Sequence, residues 1–152
     1  MSNVINCTFY CQDILPKAQI ITTIDSYCSE HQIFSHFQDV FEDDENSIVC
    51  YLSDDFDMQY SDHFMEPIIY TMEGIPFYEK IINDLDILQG LIKKVFEFNV
   101  VSKIELRLSF VEVDEFEYRV YETGINQMKH IIMSEYLTSS QVPVIKLVIH
   151  NK

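Results

Sequence analysis

The chain has 152 residues, with 25 Asp and Glu against 10 Lys and Arg, and a formal net charge of −15. At 47% hydrophobic residues it is too apolar for a disordered acidic tail. Its length gives a single-domain expectation over 1–152, and its shortage of bases excludes direct nucleic-acid binding through a basic face.

In chain order, Val4–Cys11 alternates with Ile5, Cys7, Phe9 and Cys11 on one face, which predicts a strand. Pro16 suits a first helical turn, and Ile20, Ile21, Ile24, Tyr27 and Cys28 follow at helical spacing, so a helix is expected over 16–31. His31 would end it, where an imidazolium meets the helix dipole favourably. Phe34, Phe37 and Phe41 keep a helical spacing and suggest a short second helix. The run Glu42–Asn46 is a solvated loop, Ser47–Leu52 a short apolar strand, and Ile68–Met72 another.

A long amphipathic helix is predicted over 76–98 from Tyr78, Ile81, Ile82, Leu85, Leu88, Leu91, Ile92, Val95 and Phe96. Pro76 and Glu79 fit its start and Lys93-Lys94 its last turn. Ile104, Leu106, Leu108 and Phe110 alternate with polar residues, giving a half-buried strand. The alternation over 116–121 suggests an antiparallel partner in a hairpin turned at Val113–Glu115. A last helix is expected over 124–138. Val144–Ile149, apolar on both faces except Lys146, reads as an interior strand. The fold class is therefore α+β, a mixed or mainly antiparallel sheet packed against about three to four helices.

The charge is unevenly placed. Residues 18–79 hold 14 acids and no Lys or Arg, so this stretch carries −14. The remaining residues hold 11 acids and 10 bases and carry −1. A field of one sign repels itself and steers association with cationic partners. Asp39, Glu42, Asp43, Asp44, Glu45, Asp54, Asp55 and Asp57 are the candidate contacts to a partner's Lys and Arg, with Phe56 and Tyr60 as aromatic anchors. Aromatics are interleaved with these acids (Phe34, Phe37, Phe41, Tyr51, Phe56, Tyr60 and Phe64), and one or two are expected to be exposed. Phe56, Tyr60 and Phe64 stand four apart, so a helix there would align them.

Motifs for chemistry are missing. Gly74, Gly90 and Gly124 are isolated, so no phosphate loop or dinucleotide fingerprint exists. Cys28, His31 and His36 match no zinc spacing. The Asp54–Glu66 cluster, with His63, could hold a divalent ion or split into acid and base, but lacks a calcium-loop glycine. The four cysteines show no C-x-x-C. Cys7 and Cys11 in one strand would stand about 13 Å apart, too far to bond. Free, mostly buried thiols are expected.

No catalytic residue, cofactor or metal is assigned, and the chain is not expected to be an enzyme. The N-terminus has no basic n-region and no long apolar stretch, and no apolar run is long enough to span a bilayer, so a cytoplasmic location off the membrane is expected. The expected function is an acidic inhibitor, an immunity or antitoxin protein whose partner is a basic, nuclease-like toxin or another nucleic-acid-binding protein. Three alternatives are a phage-type nucleic-acid mimic, a metal-assisted hydrolase using the Asp54–Glu66 cluster, and a structural assembly subunit.

Overall fold

The computed structural model describes residues 4–11, 17–37, 47–54, 64–65, 68–69, 76–109, 114–138 and 143–151. Strand β1, Val4–Cys11, turns Ile5, Cys7 and Phe9 into the core, as its alternation requires. Helix α1, Lys17–Glu30, buries Ile20, Ile24 and Cys28, one side chain per turn. Gln32, with a positive φ of 59°, turns the chain into β2, Ile33–Phe37, and β3 follows at Ser47–Asp54.

Two short strands, β4 (Ile68–Ile69) and β5 (Pro76–Phe77), pair only with each other. Helix α2 spans Tyr78–Phe96 and β6 spans Val101–Ser109. A 3-10 turn at Glu115–Glu117 leads into β7, Arg119–Gly124. A second 3-10 turn, Ile125–Gln127, leads into α3, Met128–Thr138, and β8 closes the fold at Ile145–His150.

Six strands form one mixed sheet in the order β2-β3-β1-β6-β8-β7. Neighbours are antiparallel except β7 and β8, which run parallel. The three helices pack on one face, over Ile5, Cys7, Phe9, Ile48, Cys50, Leu52, Ile104, Leu106, Leu108, Ile145, Leu147 and Ile149. Helices α1 and α2 meet where the Tyr27 hydroxyl donates to Ile87 O at 2.8 Å. A Cβ at Gly90 would lie 2.2 Å from that hydroxyl, so this crossing requires a glycine. The Asn151 amide donates to Phe96 O and Val101 O, fastening the end of α2 to the start of β6.

The opposite face is polar. Across its middle, Tyr51, Asn6, Arg107, Lys146 and Val120 stand in one cross-strand row. Lys103 Nζ sits 5.0 Å from the Tyr10 ring centre in the row that ends at His150 and Gly124.

Four sequence expectations are corrected. Residues 33–37 are a strand rather than a helix: Ile33, Ser35 and Phe37 fall in register with Asp54, Leu52 and Cys50, and that pairing overrides the helical spacing of the phenylalanines. Residues 119–124 do not pair with β6. The doubly apolar β8 lies between them, because only an interior strand buries both of its faces. Helix α2 begins at Tyr78, since Pro76 and Phe77 are taken into β5. His31 also stands just outside α1, in the turn, where its N–H donates to Tyr27 O and Cys28 O.

Candidate functional site

The acid-rich stretch is attached to the sheet through the β2–β3 hairpin. Asp54 is the last residue of β3 and pairs with Ile33. Asp39, Glu42, Asp43, Asp44 and Glu45 fall between β2 and β3, and Asp55, Phe56, Asp57 and Tyr60 follow Asp54; all nine lie outside the described residues. The first acid run joins β3 at Ser47 and the second leaves it at Asp54. Seven residues of extended strand separate those points, about 23 Å. The two candidate runs therefore leave opposite ends of one strand.

Helix α1 packs along this edge of the sheet. The Ser35 hydroxyl donates to Asp25 at 3.2 Å, the His31 ring lies 4.4 Å from that of Tyr27, and His36 stands 6.5 Å from Tyr51. Among the aromatics with described side chains in this stretch, Phe37 and Tyr51 are half-buried and Phe64 is buried. The side chains of Phe34, Phe41, Phe56 and Tyr60 lie outside the described residues, and among those described Phe116, in the C-terminal half, is 84% exposed.

Between the second acid run and β4, the chain is pinned at Phe64-Met65, both buried. Met65 has a positive φ of 65°, a left-handed conformation that a long side chain adopts only when its surroundings hold it there. Here two helices hold it. Met65 N–H donates to the buried carboxylate of Asp84 on α2 at 2.8 Å, and the Tyr136 hydroxyl on α3 donates to Met65 O. Both backbone polar groups of Met65 are thereby satisfied inside the core.

The C-terminal half treats charge differently. Glu115 accepts from Arg107 Nη2 at 2.8 Å and from Lys146 Nζ at 3.1 Å, tying its 3-10 turn to β6 and β8. The Arg107 guanidinium, then burial and the Lys146 ammonium, set the Glu115 carboxyl at about 2, well below the usual range, because the cations outweigh burial. Burial alone would lower the Arg107 value, but the hydrogen bond and charge of Glu115 raise it. The buried Glu135 of α3 accepts from Arg119 at 2.7 Å and from the Tyr121 hydroxyl, joining α3 to β7. That bond raises the Tyr121 hydroxyl's pKa, since the carboxylate favours the protonated phenol. Lys129 pairs with Asp86.

All four cysteines are free thiols. Cys7 and Cys50 stand opposite each other on β1 and β3. Burial pushes Cys28 up to about 12, with Asp25 adding to it, and burial likewise raises Cys7 and Cys50, so these three are not nucleophiles at neutral pH. Among the described residues, no three His, Cys, Asp or Glu side chains converge to hold a metal ion.

Asp84 and Glu135 escaped the sequence reading although a signal was present. Each falls on the apolar stripe of its helix, Asp84 between Ile81 and Leu88, and Glu135 beside Ile132 and Tyr136. A lone acid on an apolar stripe marks a buried polar contact.

Comparison with known proteins gives no match to a family model, a curated protein or a solved structure. Among the described residues no helix is long and apolar enough to cross a membrane.

Proposed function

We propose that the chain is an acidic inhibitor of the immunity or antitoxin kind. It neutralises a basic, nuclease-like partner by setting carboxylates against the cationic site that would hold phosphates. The observation that carries this reading is the run of 62 residues (18–79) with 14 acids and no base. Charge of one sign over such a length finds no neutralising cation within itself. Outside it 11 acids stand against 10 Lys and Arg, and Asp86, Glu115 and Glu135 pair with their own Lys and Arg, which leaves the base-free stretch as the main source of the net field. Asp39, Glu42, Asp43, Asp44, Glu45, Asp54, Asp55 and Asp57 pair with partner Lys and Arg, and Phe56 and Tyr60 provide apolar contact.

The test is affinity capture from the native lysate at low salt, eluted with a salt gradient. Wild-type protein is compared with a variant in which Glu42, Asp43, Asp44, Glu45, Asp54, Asp55 and Asp57 become their amides. The expected result is a partner of high isoelectric point that elutes with salt and is lost in the variant. A partner retained equally by both proteins overturns the proposal.

A further inference from the structure

Strand β7 ends the sheet on the side opposite β2, and its outer side pairs with no strand among the described residues. The ladder to β8 fixes what that outer side offers. Arg119 N–H donates to Val144 O at 3.2 Å, and with the parallel register this turns the peptide groups of Arg119, Tyr121 and Thr123 toward β8. By alternation Val120 and Glu122 point their N–H and C=O groups outward, and Gly124 its N–H, while Gly124 O accepts from the Thr123 hydroxyl at 3.0 Å. Their side chains share the polar face of the sheet, beside Lys146, Val148 and His150.

These residues leave unguarded what most edge strands protect with lysine, proline or a bulge. Val120 is 56% exposed, and Phe116, in the turn before β7, is more exposed still. The Arg119 guanidinium is held by Glu135. Glu122 is 73% exposed on its side chain, and His150 Nε2 approaches it only to 3.5 Å, beyond an ordinary hydrogen bond.

Gly124 has φ −92° and ψ 168°, open to any residue, and a Cβ there would meet nothing within 4 Å. Neither backbone nor packing asks for glycine, which weakens a strand. Beside it lies an open depression of about 550 Å³ lined by Glu122, Gly124, the turn Ile125–Gln127 and His150.

We propose that this edge receives an extended segment of a partner protein as an antiparallel seventh strand. A large aromatic residue stands opposite Gly124, a Lys or Arg opposite Glu122, and a branched apolar residue opposite Val120. Main-chain hydrogen bonds at these three positions supply affinity, and the alternate side chains supply selectivity. An aromatic ring laid across an edge glycine fills the space that glycine leaves. A basic residue suits the exposed Glu122 of the edge, and the turn before β7 adds the exposed acids Asp114 and Glu117. A second copy of the chain fits less well: two β7 strands paired about Tyr121 set Glu122 against Val120, and about Glu122 they set it against itself. This edge is the far one from the β2–β3 hairpin, so its occupant is independent of the inhibitor function proposed above.

The test uses a dye-labelled peptide, Thr-Trp-Thr-Lys-Thr-Val-Thr, and the full chain, followed by fluorescence anisotropy. Saturable one-to-one binding is expected. The variant with amides in the acid runs should keep it, which separates this edge from attraction to the base-free stretch. E122P removes an outward N–H without touching the β8 ladder and should weaken binding more than about tenfold. E122K keeps that N–H, should weaken the Lys peptide about fivefold, and should favour a peptide with Glu in place of Lys. G124V puts a branched side chain where the aromatic ring would lie and should weaken binding; with E122K it carries the test if E122P does not fold. Binding unchanged by E122K and G124V overturns the proposal. So does a dimer on sizing that E122K dissolves, since it gives the edge to a second copy.

Discussion

Between Asp86 and His150 acids meet bases within the chain: Glu115 with Arg107 and Lys146, Asp86 with Lys129, Glu135 with Arg119. Between residues 18 and 79 there is no Lys or Arg for 14 acids to meet. In the first region charge is used locally, as clasps that fasten a turn to strands or a helix to an edge. In the second it cannot be satisfied inside the segment, and it remains as a field that water, ions or another protein must answer. The two regions touch through buried polar groups instead: Asp84 and Tyr136 of the C-terminal half hold the peptide of Met65, and Tyr27 holds Ile87. These attachments are hydrogen bonds to backbone groups and use none of the candidate contact acids.

The largest expected effect lies at that joint. Asp84→Ala leaves the buried Met65 N–H without this acceptor and should lower stability by about 2–3 kcal/mol in urea unfolding. A cost below about 0.5 kcal/mol would show that the acid-rich half is not fastened through Met65. Gly90→Ala drives a methyl into the Tyr27 hydroxyl and should cost about 1–3 kcal/mol. In a Tyr27→Phe background that cost should shrink by at least about 1 kcal/mol, and strict additivity of the two changes would place the helix contact elsewhere.

Glu115→Gln tests the clasps. A two-unit depression of a carboxyl pKa corresponds to about 3 kcal/mol. The Glu115 side chain is 60% exposed, however, and solvent screening cuts the expected loss at pH 6 to about 0.5–1 kcal/mol. Because the folded value is depressed, this stability is present above the ordinary Glu pKa and disappears as pH falls through about 2. Thermal melts of the two proteins should therefore converge toward pH 2, and a gap that widens on acidification would contradict the clasp.

The smallest effect concerns the other region. Converting Glu42, Asp43, Asp44 and Glu45 to amides relieves self-repulsion and should raise the melting temperature by about 1–2 °C at low salt, with the gain vanishing at about 1 M NaCl. A gain that persists at high salt would mean a cause other than charge.

How much of this was readable depended on whether the cause was local. The strand Val4–Cys11 and the cores of α1 and α2 followed from side-chain period alone, because each buries one continuous face. The β2 strand did not, since five residues cannot separate period 2 from 3.6 when phenylalanines recur at 34, 37 and 41. The supposed 103–121 hairpin failed for a topological reason. Sequence neighbours often pair, yet β8, apolar on both faces, needed two neighbours and took the place between β6 and β7. That strand's pattern already held the answer. The Glu115 clasp was beyond reach of the sequence, because it joins residues 8 and 31 positions apart whose meeting depends on the finished sheet. Of the candidate contacts, the sequence located the charge; the hairpin register added that the two acid runs leave opposite ends of β3.

The central claim, that the base-free stretch is a surface for a cationic partner, is tested most directly by the association rate of the captured partner as a function of ionic strength. Stopped-flow measurements should show the rate falling steeply from low to physiological salt in the wild type. With the seven acids of the two runs converted to amides, it should become slow and nearly flat, while dissociation changes less. Equal rates and equal salt slopes for the two proteins would contradict the account.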